Sequence, residues 1–102
     1  MFRHIVLMAF TDEASDEHRE AIADALGKLP DQIPELLSYR IGLDAGLNDG
    51  NYDIAVVADF ADAEGYRVYA QNSAHQQVVN DLIRPVLSRR AAVQHEWEEP
   101  AP

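Results

Sequence analysis

From His4 to Phe10, six of seven positions are apolar, and Ile5 and Val6 suit a pleated backbone, so this run predicts a strand. The two-residue period puts His4, Val6, Met8 and Phe10 on one face and Ile5, Leu7 and Ala9 on the other. Both faces are therefore apolar. Spacing then changes to the helical period: His18, Ala21, Ile22, Ala25, Leu26 and Leu29 form a stripe behind Ser15, whose hydroxyl can cap the first turn. Asp16 and Glu17 lie near the positive end of that helix, and Pro30 with Pro34 closes it.

Alternation returns over Leu36–Leu43, with Leu37, Tyr39, Ile41 and Leu43 opposite Ser38, Arg40 and Gly42. The turn-rich run Gly46–Asn51 suits a hairpin into a third strand, Tyr52–Phe60, again apolar on both faces. Asp62 caps a helix running to about Gln71. Asn72-Ser73 breaks it, and a further helix carries Val78, Val79, Leu82, Ile83, Val86 and Leu87, with Pro85 kinking or stopping it near its end. Ala91–Glu98 reads as the last strand. The order β-α-β-β-α-β predicts an α+β, ferredoxin-like sandwich: a four-stranded antiparallel sheet with helices on one face. One domain spans residues 1–98, followed by a flexible tail, 99–102.

Helices on one face leave the other unroofed. Ile5, Leu7, Ala55 and Val57 point there, an apolar patch of the kind that marks an interaction surface. A two-fold homodimer through the sheet faces covers it most simply, burying more than ~1,600 Å². Coverage by the tail or by a curled strand is the plain alternative.

Composition narrows the partners. Eighteen acidic residues against eight Lys and Arg give a net charge of −10, which repels nucleic-acid phosphates and anionic lipid surfaces. With no cysteine, disulfides and thiolate metal sites do not arise. The apolar run Ile5–Phe10 is too short to span a membrane and lacks the small-residue cleavage pattern of a signal peptide, so a soluble cytoplasmic protein is expected.

The candidate chemistry sits at the helix break. Tyr69 ends one helix and His75 opens the next, so a phenol and an imidazole can converge beneath both. Packing for Tyr69 and first-turn capping for His75 explain the same spacing. His4 stands alone on an apolar strand face, where a satisfied core histidine is the ordinary reading. His18 lies among acids in a first turn. The four histidines show no HxxxH or HxH spacing, so no transition-metal site is expected, and a weak Mg²⁺ site at carboxylates stays open.

Taken together, Arg3-His4-Ile5-Val6-Leu7, Ile33-Pro34 before Leu37-Ser38-Tyr39, Tyr52-Asp53-Ile54-Ala55, Ser73-Ala74-His75 with Val78-Val79, and Arg84-Pro85 make the chain resemble the stress-responsive A/B barrel (Dabb) family. The resemblance covers Arg3 to about Glu96 and implies a dimeric α/β barrel. One branch of that family is similar to olivetolic-acid-type polyketide cyclases, in which a Tyr and a His across the same break act as a catalytic pair. They align with Tyr69 and His75, and a first-strand His aligns with His4. The implied pocket residues are Val6 and Met8 with Ile54 and Val56 opposite, and Ile22 and Val79 from the helix stripes complete the lining. The branch's orienting carboxylate on the last strand is missing, with His95 at about that position, or is replaced by Glu96 one residue later on the opposite face of the strand.

Three functional classes follow from the resemblance. The first is a stress-responsive protein holding a small apolar molecule in an internal pocket. The second is a cofactor-free, aldol-type cyclase with His75 as base and Tyr69 as hydrogen-bond donor to an enolate. The third is a cofactor-free monooxygenase. Haem degradation fits poorly, because the single tryptophan, Trp97, lies at the end of the last strand. No metal or organic cofactor is expected.

Overall fold

The computed structural model describes residues 1–99. Its elements are β1 (Phe2–Phe10), α1 (Asp16–Gly27), β2 (Ser38–Leu43), β3 (Ile54–Phe60), α2 (Ala63–Gln71), α3 (Ser73–Val78) and β4 (Leu87–Glu96). The strands pair antiparallel in the order β2-β3-β1-β4, so the two strands that are apolar on both faces occupy the centre. This is the expected ferredoxin-like sandwich. In register, His4 faces Ala58, Val6 faces Val56 and Met8 faces Ile54, which aligns one apolar row beneath the helices. Ile22 and Leu26 of α1 close over that row with Leu29, Ile33 and Phe60. Burying a side chain such as Phe60, fully enclosed here, stabilises the fold by roughly 1.5–3 kcal/mol.

Several boundaries differ from the sequence expectation, each for a local reason. Ala21 and His18 are exposed rather than part of the buried stripe. His18 instead closes a capping box: its N–H donates to Ser15 Oγ (3.2 Å), and its Nδ1 accepts from the Ser15 N–H (3.1 Å). Leu29 is buried from a separate 3₁₀ turn, Leu29–Asp31, after α1 has ended. β2 starts at Ser38 and β3 at Ile54, two residues later than alternation predicts.

The largest change is at β4, which begins at Leu87 and not Ala91. After α3 the chain widens into a π-helical turn, Val79–Ile83, then tightens into a 3₁₀ turn, Arg84–Val86, that contains Pro85. Pro85 has no N–H to continue a helix. Thr11 N–H donates to Val86 O (2.8 Å), pinning the chain beside the end of β1 so that Leu87 pairs with Phe10. At the other end β4 stops at Glu96, short of the expected Glu98.

On the face away from the helices, Ile5, Leu7, Ala55 and Val57 are only half-buried and Val93 is 54% exposed. One end of this face is closed by a charged cluster. Arg3 donates two hydrogen bonds to Asp59 (2.7 and 2.9 Å), the Trp97 indole N–H donates a third (3.1 Å), and the guanidinium lies 4.4 Å from the Trp97 ring centre. Arg3 thereby holds the Asp59 carboxyl below its ordinary range. The expected tail lies, beyond Glu99, outside the described residues. Among the described residues no helix is long and apolar enough to cross a membrane.

Candidate functional site

The site grows from the way α2 ends. Asp62 caps the start of α2 by accepting from Gly65 N–H (3.0 Å). At Asn72 the backbone turns extended (ψ 135°), and the Asn72 side chain accepts from Ala74 N–H (2.8 Å), starting α3 at a new angle. Terminating α2 leaves its last carbonyls without intrahelical partners. The Ala70 carbonyl takes two replacements, the Gln76 side-chain amide (2.6 Å) and His75 Nδ1 (3.2 Å).

That second contact fixes the chemistry of His75. A carbonyl only accepts, so Nδ1 carries the hydrogen of the neutral ring and Nε2 keeps its lone pair. Burial lowers the basicity of His75 below that of an ordinary imidazole, so the neutral form dominates at neutral pH. The Tyr69 ring lies 4.2 Å from the His75 ring, centre to centre, close enough for one ligand group to touch both. Tyr69 Oη is 2.9 Å from Tyr39 Oη on β2. Burial pushes the Tyr69 phenol up to about 12 and raises Tyr39 as well, so both stay protonated as donors. Either hydroxyl can donate in this pair, and when Tyr39 donates, the Tyr69 hydrogen is free to meet a ligand oxygen.

These groups line one cavity of about 370 Å³ between the sheet and the α2–α3 layer. Its other walls are mainly apolar: Val6, Met8, Leu26, Val56, Val79 and Ile83. His4 is 4% exposed, and burial lowers it from 6.5 to about 4, with the nearby Arg90 charge and His75 adding to the effect. The Gln94 amide nitrogen lies 3.0 Å from His4 Nδ1. An amide N–H donates, so Nδ1 accepts and the ring hydrogen sits on Nε2, the opposite tautomer from His75.

Of the residues picked out by sequence, the cavity brings together His4, Tyr69, His75, Val6, Met8, Val56 and Val79. Ile22 and Ile54, 2% and 1% exposed, pack in the solid core instead and do not reach its wall. His95 is exposed, bonded to the backbone of Glu96, and also lies outside the cavity. Sequence reasoning missed Tyr39, Tyr66, Gln76, Arg84 and Arg90. Tyr39 was legible as a helix-facing strand residue, and Arg90 becomes visible only once β4 pairs it with Met8.

The profile of the Stress responsive A/B Barrel Domain matches residues 2–97. Among curated proteins none matches this sequence. Among solved structures, a dimeric ferredoxin-like protein of unknown function from Thermobifida fusca is 42% identical. That alignment covers 94% of this chain and 90% of the other, with a TM-score of 0.86. A dimeric protein of unknown function and ferredoxin-like fold from Bacteroides fragilis is 24% identical over 94% of this chain and 95% of its own, with a TM-score of 0.80. The hydroxynitrile lyase from Passiflora edulis is similar in fold, with a TM-score of 0.82 at 17% identity, over 99% of this chain and 96% of its own.

Proposed function

Because the chain belongs to the stress responsive A/B barrel domain family, we propose that it is a cytoplasmic homodimer whose cavity binds a compact, largely apolar molecule bearing an acceptor oxygen. One observation carries this reading: an apolar cavity of about 370 Å³ contains two phenols kept protonated beside an imidazole with a fixed tautomer. Ligand sites have this character, with apolar walls and a few convergent polar groups. The half-buried row Ile5, Leu7, Ala55 and Val57 supports pairing through the open sheet face, as does the dimeric state of the 42% identical relative.

Extraction of small molecules from protein purified from its own cells tests the binding role. A compact apolar compound is expected with the native chain and not with a Tyr69→Phe/His75→Ala variant. Identical extracts from both would remove the case for this site.

A second reading, cofactor-free acid–base catalysis, is favoured by the free lone pair of His75 Nε2. In that reading Nε2 takes a proton from a carbon between two carbonyls, and the Tyr69 hydroxyl hydrogen-bonds the enolate oxygen as charge develops. The carbanion then attacks a distant carbonyl of the same chain, forming one C–C bond, and the proton on Nε2 passes to the new alkoxide. General acid–base help of this kind contributes ~10²–10⁴-fold. A poly-β-keto thioester incubated with the protein should cyclise, and His75→Ala should slow this by at least about 10²-fold. No product above background would leave the binding role alone.

A further inference from the structure

The cavity wall is electrostatically unlike the rest of the molecule. The chain carries eighteen acidic and eight basic side chains, yet Arg84 and Arg90 line the cavity and no Asp or Glu does. Among the described residues, neither arginine has a carboxylate within ion-pair distance or a side-chain hydrogen bond. The two arrive from different elements. Arg84 follows the π-helical turn, and Arg90 reaches the helix side of the sheet because β4 starts at Leu87 and pairs Arg90 with Met8. The charge of Arg90 is felt at the polar end of the cavity, where it opposes protonation of His4 and eases ionisation of Tyr69. The neutral rings beside it carry the His4 Nε2 hydrogen and the phenol hydrogens. This end of the cavity is rich in donors and holds positive charge with no built-in anion.

We propose that the ligand class of this cavity is a compact aromatic or branched monocarboxylate, its apolar body against Val6, Met8 and Val56 and its carboxylate at Arg90 and Arg84. The inference rests on the reading of this cavity as a ligand site and adds the chemical class to it. A guanidinium suits a carboxylate because its N–H groups form a planar fork that matches the two oxygens. In a molecule of net charge −10, a local cationic wall also favours an anion that the remaining surface repels. The apolar walls limit the charge to one end, which selects against dicarboxylates and sugar phosphates.

The test uses 2-naphthoate and its neutral isostere 2-naphthamide, titrated calorimetrically into the full chain at low ionic strength. The acid is expected to bind at least tenfold more tightly than the amide. Both arginines are exposed, so Arg90→Gln should fold, and it should bring the two affinities within about twofold while Arg90→Lys restores part of the gap. Equal affinities for acid and amide in the native chain, or an unchanged preference in Arg90→Gln, overturn the carboxylate assignment and leave the ligand site standing. Failure of both probes to bind, with the His75 and Tyr69 resonances unmoved, overturns the ligand site and this inference with it.

Discussion

Burial weakens the basicity of both cavity histidines, yet their neighbours give them opposite tautomers: a carbonyl acceptor at His75 Nδ1, an amide donor at His4 Nδ1. His75 thereby presents a free Nε2 lone pair, and His4 a ring N–H. The pH dependence of stability follows from the direction of the His4 shift. Its folded midpoint near 4 lies below the ordinary 6.5, so the unfolded chain takes up that proton first. Stability from the neutral His4 ring is complete above pH 6.5 and drains away as pH falls toward 4, on the order of 3 kcal/mol in all. Asp59 acts lower on the scale: its depressed carboxyl contributes above the ordinary aspartate range, and that contribution is lost as pH falls through the depressed value. Urea unfolding at pH 7 and pH 4.5 should show a marked loss for the native chain and a smaller one for His4→Gln. Equal losses would contradict the assignment. Tyr69, His75 and His4 could be singled out from sequence because few side chains move protons and these stand out from apolar surroundings. Arg90 could not. Beside Arg89 it reads as one of two solvated cations, and only the strand register turns one of them inward.

At the element scale, the break at Asn72 sets the angle of α3 and frees the Ala70 carbonyl for His75. Asn72→Ala should cost about 1 kcal/mol through the lost cap. It should also broaden the His75 ring signals, as the carbonyl contact loosens; denaturation and ¹⁵N spectra read the two effects separately. Unchanged stability would deny Asn72 its capping role. Gly65 is a second sensitive point, because an added Cβ would sit 3.2 Å from Phe60 Cβ. Gly65→Ala should therefore lower the melting temperature despite the better helix propensity of alanine, and a rise would show that Phe60 yields easily. The strands β1 and β3 were readable because their alternation is strong on both faces. The start of β4 was not, since Val86 and Leu87 continue the helical spacing of Ile83 and only the Thr11 contact and Pro85 reveal the change of direction. Ile22 and Ile54 share stripes with true cavity residues, and periodicity does not tell which end of a stripe is filled.

For the whole molecule, the sheet divides two tasks. The helix side encloses the cavity, and the open side leaves Ile5, Leu7, Ala55 and Val57 half-buried, the face proposed above to pair with a second copy, with the Arg3–Asp59–Trp97 cluster at one end. Leu7→Arg places a charge in the centre of that open face without touching the cavity wall. It should shift the chain to monomer while the cavity keeps its contents. Native mass spectrometry of protein purified from its own cells reads both properties together. The native protein should appear as a complex of two chains carrying one small molecule each, and Leu7→Arg as a single chain with the same small molecule still bound. A native chain that flies alone and bare, at micromolar concentration, would rule out both the pairing and the filled cavity.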